Sequence, residues 1–172
     1  LDTITTLLNK KNDIHEFNIK NIIDIHHYIL FKNIKKDGIE LVLYIDETLH
    51  FNESEKEFMS IISTLVQNSI DAFTNIKQDK KAVIINITKK ENEIFLQYHD
   101  SGYGVEDKNL KRIFDPYFTT KHQSQDKGLS LFLIQNIITK IFGGSINAFN
   151  YHFDYEGEMH KGLKFDILLP IK

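Results

Sequence analysis

The sequence predicts an α/β fold, a two-layer sandwich of one sheet and a set of helices. Two hydrophobic periods alternate along its 172 residues: apolar residues recur every three to four positions in some segments and every second position in others. The first period is typical of helices and the second of strands. Neither internal repeats nor low-complexity segments interrupt this order, and the length suits a single core, so we expect one domain.

These periods predict the elements in chain order. Residues 1–10 are expected to form the tail of a helix that belongs to an upstream segment, so the domain proper would begin after residues 1–12 and span 13–172. Within it the periods predict an extended segment at 15–19, a helix at 21–34, a strand at 40–45, a helix at 54–77, a hairpin of strands at 82–88 and 93–99, a helix at 128–142 that Gly143 and Gly144 end, and strands at 145–151 and 163–169.

Composition excludes several classes of function. The formal net charge is -3 and the isoelectric point is near 6.2, so no basic field is present to recruit nucleic acid. The absence of cysteine rules out disulfides and thiolate metal sites, which makes the cytoplasm the expected compartment. No apolar run approaches the ~20 residues of a membrane span. The chain begins at Leu1 without a signal-like segment, and we expect it to be a fragment.

Polar residues follow one side of the predicted helix in the stretch STLVQNSIDAF. Thr64, Asn68 and Asp71 are spaced by four and three positions, which places them together at the edge of the apolar face. An amide oxygen there can ligate magnesium, which prefers oxygen ligands and shares them with phosphates and water. Alternatively, these side chains bond only to neighbouring backbone.

A glycine-rich turn, HDSGYGV, directly follows a predicted strand. Asp100 at the strand end can accept a hydrogen bond from an exocyclic amine, and Gly102 and Gly104 allow a ligand to approach the backbone. An ordinary Asp-Ser-Gly turn has the same residues, so this motif alone leaves both interpretations open.

The stretch FDPYFTTK, residues 114–121, has three aromatic residues around Pro116, followed by Thr119, Thr120 and Lys121. A plain surface loop rarely has three aromatic residues so close together. The aromatic rings can pack on an apolar flank while the hydroxyls and the ammonium group extend towards anionic oxygens, so this composition favours a functional loop.

Taken in order, LVQNSIDA, DSGYG, IFDPYFTTK and a helix that begins at a glycine resemble the ATP-binding catalytic domain of sensor histidine kinases. The resemblance covers roughly residues 13–170 and includes the closing strand GLKFDILLP. It implies the Bergerat fold that these kinases share with gyrase, the Hsp90 chaperones and MutL. In that fold a mixed sheet is covered on one face by helices, and ATP binds between helices and a mobile lid.

The resemblance also implies roles for individual residues. Asn68 would hold magnesium, Asp100 would bond the adenine amine, and Gly102 and Gly104 would border the base. Residues 114–121 would begin the lid. The further ATP-binding positions that it implies are Asp71, Phe114, Thr119, Thr120, Lys121, Gly128 and Leu129.

Three residues, Thr64, Asp126 and Ser130, depart from the pattern of this superfamily. Its hydrolysing branches carry a glutamate base four residues before the asparagine, where this chain has Thr64, which cannot accept a proton near neutral pH. Many of the kinases have asparagine at this position. The absence of the base favours phosphoryl transfer over hydrolysis and leaves a general ATPase as a third hypothesis.

Kinases of this family usually have a second glycine-rich motif, G-x-G-x-G-L. The corresponding residues 126–131 read DKGLSL here, so only Gly128 is kept, and Asp126 and Ser130 stand in place of the other two glycines. An aspartate ~4 Å from a phosphate would cost roughly 4 kcal/mol at an effective dielectric constant of about 20, but about 1 kcal/mol in full solvent. The helix that begins at Gly128 still offers amides that favour phosphate. ATP binding is therefore expected, and the loop sets how tight it is.

The stretch HEF at residues 15–17 resembles the start of a phosphoacceptor motif. Too few residues separate His15 from Asn68 to accommodate the second helix of a helical hairpin, and EFNIK is typical of a strand. His15 is therefore expected to be structural or solvated. The other histidines, His26 and His27 included, lack metal-ligand spacing.

The main functional hypothesis is the catalytic domain of a two-component sensor kinase. It would present Mg-ATP for phosphoryl transfer to a histidine on a dimerisation domain that this fragment lacks, and the fragment alone would be inactive in transfer. Its expected cofactors are ATP and magnesium, and its expected partners are its own dimerisation and phosphoacceptor domain and a response regulator. We expect it in the cytoplasm, either free or as the cytoplasmic part of a membrane-bound sensor, without membrane contact of its own. The alternative is a degenerate kinase-like binding module that acts through protein contacts with weak or no turnover.

Overall fold

A computed structural model describes residues 14–36, 38–74, 76–77, 80–120 and 128–172. The helix predicted at residues 1–10, the boundary at residue 12, and Lys121 and Asp126 lie outside the described residues. The α/β sandwich predicted from the sequence is confirmed: a mixed sheet carries helices on one face.

Most of the described elements are those that the two hydrophobic periods predict, whereas the strand His50–Ser54 and the short helix Asp107–Leu110 were not predicted. A π-helical turn at Ile137–Ile141 continues the last helix. The elements are β1 (Ile14–Asn18), α1 (Ile19–Lys36), β2 (Ile39–Ile45), β3 (His50–Ser54), α2 (Glu55–Phe73), β4 (Lys81–Lys90), β5 (Glu93–Asp100), α3 (Asp107–Leu110), α4 (Ser130–Asn136), β6 (Ser145–Tyr155) and β7 (Glu158–Pro170).

Five strands form the main sheet in the order β2-β4-β5-β7-β6, and β1 and β3 form a separate antiparallel pair. β2 runs parallel to β4, whereas the other neighbouring strands are antiparallel. Alternate side chains of β5, namely Ile94, Leu96, Tyr98 and Asp100, are buried on the face that the helices cover. Consequently β5, which is central in the sheet, ends with its last residue beneath the helical layer.

Helix α2 begins at a well-formed cap. The hydroxyl of Ser54 accepts a hydrogen bond from the backbone N–H of Glu57, and Glu55 and Glu57 place negative charge in the first turn. The helix ends at Phe73, four residues earlier than the period predicts, because the N–H of Thr74 bonds to the carbonyl of Asp71 in a tighter turn.

Packing of aromatic rings joins the small sheet to the helices. The ring of Phe51 on β3 lies 6.0 Å from those of Phe17 and Phe58 and 5.5 Å from that of Phe142. These side chains are buried, so the β1–β3 pair is anchored to the same core as the main sheet. In the described part of the chain, none of the helices has both the length and the apolar character needed to cross a bilayer.

Candidate functional site

The carboxyl group of Asp100 lies where three elements meet. Its Oδ1 accepts hydrogen bonds from the backbone N–H of Gly102 at 2.9 Å and of Leu163 on β7 at 3.3 Å. Its Oδ2 lies 2.5 Å from the hydroxyl of Ser69 on α2. The residue is only 6% exposed. Helix α2, strand β5 and strand β7 therefore all fix the position of this one carboxyl group.

Burial raises the pKa of Asp100 above its ordinary value. The hydrogen bonds from Ser69, Gly102 and Leu163 act in the opposite direction, and burial outweighs them because it disfavours the charged form. A group of this kind, at the end of a central strand and beside a glycine turn, is typical of a functional site.

Two further polar groups lie behind the carboxyl. The hydroxyl of Ser69 is 2.7 Å from that of Tyr98, which in turn donates to the backbone carbonyl of Leu65 at 3.0 Å. Burial, followed by the negative charge of Asp100, raises the pKa of Tyr98, so its hydroxyl stays protonated. The helical and strand periods did not single out Ser69 and Tyr98 as site residues.

Gly162 permits the close contact between β7 and the site. A Cβ atom at this position would lie 1.5 Å from the backbone oxygen of Asp100 and 2.5 Å from its carbonyl carbon. No side chain fits there without displacing one of the two strands. Glycine inside a strand is the sequence signal for such an approach, although no role was predicted for Gly162.

The glycine turn after Asp100 is held against the β6–β7 hairpin. The side chain of Asn150 accepts from the N–H of Val105 at 2.9 Å and donates to its carbonyl at 2.7 Å. The N–H of Tyr103 donates to the carbonyl of Lys161 at 2.9 Å. Gly104 has φ +68°, and a Cβ there would lie 2.1 Å from Asn150 Oδ1, so the turn needs glycine at this position.

Helix α2 brings Asn68 next to this group. Asn68 is half-buried, and its Nδ2 atom is buried without a hydrogen-bond partner in the part of the chain that the structure describes. Asp71, one turn further on, accepts a hydrogen bond from Gln67 Nε2 at 2.9 Å. A Cβ at Gly102 would touch Ala72 of the same helix at 3.2 Å. The turn with Gly102 and the polar side of α2 are therefore neighbours.

The polar groups of α2 suit a magnesium ion that is shared between the protein and a bound anionic ligand. An orphaned amide such as that of Asn68 can offer its oxygen to a cation and its N–H to an anionic oxygen. Among the described residues no group of three or more histidine, cysteine, aspartate or glutamate side chains could hold a metal ion. Phosphate oxygens and water would therefore have to complete the coordination shell.

The aromatic loop has both structural and exposed members. Phe114 packs its ring 6.3 Å from that of core residue Phe165, and the guanidinium of Arg112 lies 4.7 Å from the centre of the Phe118 ring. Thr119 and Thr120 are exposed. The described contact of Phe114 is therefore with the core, while the two threonines remain accessible at the surface.

The described segments that flank residues 121–127 are in direct contact with each other. The N–H of Tyr117 donates to the carbonyl of Gly128 at 2.9 Å. Gly128 has φ +66°, and a Cβ there would lie 2.5 Å from the carbonyl oxygen of Phe118. Helix α4 begins at Ser130 rather than at Gly128, with half-buried Leu129 at its N-cap.

Two of the described histidines, His15 and His99, lie apart from this arrangement. His15 lies on β1, with Nε2 3.4 Å from Glu55 Oε2; the strand predicted for EFNIK includes residues 16–18, whereas Ile19 and Lys20 begin α1. His99 is on the opposite face of the sheet, against the rings of Tyr151 and Phe153. Burial and nearby Lys164 lower the pKa of His99 to about 4, so it is neutral at pH 7.

Comparison with known proteins identifies similar sequences and folds. A family model described as "Histidine kinase-, DNA gyrase B-, and HSP90-like ATPase" matches residues 53–172. A probable C4-dicarboxylate sensor kinase of Halalkalibacterium halodurans is 29% identical over 141 residues, which are 80% of this chain and 25% of that protein. The chain thus spans about a quarter of the length of the curated relatives that it matches.

Solved structures agree with the sequence matches. The catalytic domain of histidine kinase ThkA superposes with a TM-score of 0.72 at 25% identity, covering 92% of this chain and 96% of that one. The structure of ThkA in complex with response regulator protein TrrA has the same fold, with a TM-score of 0.68 at 21% identity, over 99% of this chain and 47% of that one.

Proposed function

Because this chain belongs to the family of histidine kinase-, DNA gyrase B- and HSP90-like ATPases, we propose that it binds Mg-ATP and presents the terminal phosphate for transfer to a protein histidine. The predicted resemblance to the ATP-binding catalytic domain of sensor histidine kinases is confirmed. The acceptor histidine would lie on a dimerisation domain of the same protein, and the phosphoryl group would pass on to a response regulator. The complex of ThkA with a response regulator supports this choice of partner.

The observation that carries the proposal is the buried carboxyl of Asp100 beside the glycine turn. Its position is fixed from α2, β5 and β7, yet Oδ2 bonds only Ser69 among its described contacts and retains a lone pair. An exocyclic amine of adenine is a donor that suits this acceptor. Gly102 and Gly104 lie in the turn that would border the base.

The polar side of α2 would act on the phosphates. Asn68 would ligate magnesium through its amide oxygen, and its orphaned Nδ2 would donate to a phosphate oxygen. Magnesium, when bound, supplies positive charge that offsets the charge developing on the transferred group. Asp71, Thr119, Thr120, Lys121, Gly128 and Leu129 are proposed as further contacts, and Phe114 as the residue that anchors the loop to the core.

Phosphoryl transfer is favoured over hydrolysis by the absence of a base. Thr64 lies one helical turn before Asn68 and is half-buried, and a threonine hydroxyl does not take up a proton at neutral pH. We therefore expect the isolated chain to bind ATP without turning it over at an appreciable rate. Its place would be on the cytoplasmic side of the sensor.

Calorimetric titration with a non-hydrolysable ATP analogue, with and without magnesium, tests the proposal. We expect binding of one analogue per chain that weakens when magnesium is removed. If the native chain shows no heat and no protection from unfolding by the analogue, the proposal fails and the binding-module alternative takes its place, for which Ser130 at a usual glycine position is the motivating feature.

Replacement of Asn68 tests the metal role. Asn68→Ala should weaken binding of the magnesium–ATP analogue by roughly 10- to 150-fold, since a bond to a charged group contributes about 1.5–3 kcal/mol. Affinity measured without magnesium should change less. Asn147→Ala, at an exposed position on β6, is the matched control and should bind like the native chain. Equal affinities of the Asn68→Ala and native proteins at saturating magnesium would remove Asn68 from the site.

A further inference from the structure

Three buried oxygen–oxygen contacts connect Asp100 to helix α2. They run from Asp100 Oδ2 to Ser69 Oγ at 2.5 Å, from Ser69 Oγ to the hydroxyl of Tyr98 at 2.7 Å, and from that hydroxyl to the carbonyl oxygen of Leu65 at 3.0 Å. Ser69 and Tyr98 are each 1% exposed. Each contact is within hydrogen-bond distance, so each requires one hydrogen atom between its two oxygens.

When Asp100 is ionised, these three contacts have only two hydrogen atoms between them. A carbonyl oxygen only accepts, so the single hydroxyl hydrogen of Tyr98 is directed to Leu65. The single hydrogen of Ser69 then serves either Tyr98 or Asp100, but not both. One buried contact would consist of two facing lone pairs, which is costly at low dielectric. A proton on Asp100 Oδ2 supplies the missing hydrogen and completes all three bonds.

The same carboxyl has little acceptor capacity left when it is protonated. Its Oδ1 already accepts two backbone N–H groups, from Gly102 and Leu163. Its Oδ2 would carry the proton, and an acid hydroxyl is a much weaker acceptor than a carboxylate oxygen. Donation by an amine to Oδ2 therefore requires that the proton leave.

We propose that Asp100 carries a proton in the nucleotide-free protein and releases it when an adenine base binds, with Ser69 and Tyr98 as the positioning residues that allow the change. The proposal rests on the proposed function, which supplies the adenine. On release, the O–H bond of Asp100 breaks and the proton passes to solvent. Ser69 then donates to Asp100, and Tyr98 turns its hydrogen from Leu65 to Ser69. The Leu65 carbonyl keeps its helical hydrogen bond within α2, but its contact with the Tyr98 oxygen loses its hydrogen, a cost that the new bond from the adenine amine to Oδ2 offsets.

The surroundings of the carboxyl support this proton state. Burial, the largest influence, raises the pKa of Asp100, and the groups that face it are uncharged: Ser69 from α2, Tyr98 from β5, and the amides of Gly102 and Leu163. The charged side chains of Lys164 and Asp166 on β7 act instead on His99, on the opposite face of the sheet. No cation among these contacts holds Asp100 in its ionised form.

The sign of the pH dependence follows from this linkage. Binding selects the ionised carboxyl, so affinity for adenine should rise about tenfold per pH unit below the pKa of Asp100 in the free protein. Above that pKa the affinity should no longer depend on this group. Adenosine is the suitable probe, because a phosphate group would add its own titration near pH 6.

The test is a titration of the Asp100 carboxyl carbon by nuclear magnetic resonance, in the free protein and with saturating adenosine. We expect a pKa above the ordinary 3.8 in the free protein and a fall when adenosine binds. An Asp100 carboxyl that titrates near 3.8 in the free protein overturns the proposal, whatever nucleotide does. A raised pKa that bound adenosine leaves unchanged also overturns it. If neither adenosine nor ATP binds, the proposed function fails instead, and the free-protein titration separates the two failures.

Two variants should move the pKa of Asp100 in opposite directions. Tyr98→Phe removes the acceptor for the Ser69 hydrogen, leaving it to the ionised carboxyl, so the pKa should fall. Ser69→Ala removes a donor to the ionised carboxyl, so the pKa should rise. Tyr44→Phe, at an exposed position on β2, is the control and should leave it unchanged. Shifts in the same direction, or none, in whichever of the two variants folds would contradict the proposed positioning roles.

Discussion

Gly162→Ala is expected to cause the largest structural loss of any glycine-to-alanine change in this chain, because its added Cβ makes the closest contact. The new Cβ would lie 1.5 Å from the backbone oxygen of Asp100 and 2.5 Å from its carbonyl carbon, so no rotation of a side chain can relieve the clash. β7 would have to move away from β5, which also breaks the bond from the Leu163 N–H to Asp100 Oδ1. We expect the free energy of unfolding to fall by about 2–4 kcal/mol, from overpacking and the lost hydrogen bond.

Nucleotide affinity should fall together with stability, because the same displacement moves the carboxyl proposed to bind adenine. We expect a loss of roughly 100-fold, equivalent to about 2.7 kcal/mol. Urea unfolding and calorimetric titration with an ATP analogue measure the two effects on the same sample.

Gly157→Ala at the tip of the β6–β7 hairpin provides the control. Its Cβ would meet no atom within 4 Å, although its φ is +79°. This variant should lose about 1–2 kcal/mol from the left-handed backbone and should keep the native nucleotide affinity. If Gly162→Ala behaved in the same way, the close contact of β7 with Asp100 would not be needed for the site.

The parts of the fold predicted from the sequence are those with a strong local period. Apolar residues recur over several turns of helix α2 and along both strands of the β4–β5 hairpin. The structure places these elements within a few residues of the expected bounds. Their buried faces are continuous, so the pattern alone determines which side faces the core.

Strand β3 could not be predicted in this way. Its sequence, HFNES, has only Phe51 as an apolar residue. Glu53 is buried, although a glutamate in a sequence predicts an exposed position. The partner of Glu53 is Lys172 Nζ at 2.5 Å, 119 positions away in the chain. The strand is stabilised by pairing with β1 and by this distant ion pair, and neither leaves a local signal.

The candidate site shows the same division. Asp100, Gly102 and Gly104 form a short motif, so sequence reasoning found them together. Ser69 and Tyr98 lie 29 positions apart and belong to the regular periods of a helix and a strand. Their contact depends on how α2 packs over β5, and no local pattern in the sequence indicates that packing. Asp126 lies outside the described residues, so its effect on phosphate affinity stays a prediction.

Asp100→Asn is expected to have the second large effect, on the choice of base. The variant keeps the volume of the side chain but cannot become an anionic acceptor, and an amide N–H at the Oδ2 position would face the adenine amine donor to donor. ATP-analogue affinity should fall by roughly 10- to 150-fold, the equivalent of about 1.5–3 kcal/mol for a lost bond to a charged group. Asp166→Asn, on the opposite face of the sheet, should bind like the native chain.

The preference for ATP over GTP should itself depend on pH in the native chain. Guanine offers a carbonyl where adenine offers an amine, so the ionised carboxyl of Asp100 would face it acceptor to acceptor and GTP should bind far more weakly. A protonated Asp100 can instead donate its hydrogen to that carbonyl. Because burial raises the pKa of Asp100, the protonated form persists to higher pH than in an exposed aspartate, and the ratio of ATP to GTP affinity should grow as the pH rises through that pKa. Competition titrations of the two triphosphates between pH 5 and 8 measure this ratio. Titration of the phosphate groups affects both affinities equally, so it cancels in the ratio. In Asp100→Asn the ratio should be small and flat across the range, and indistinguishable ATP and GTP affinities in the native chain at every pH would exclude Asp100 as the residue that reads the base.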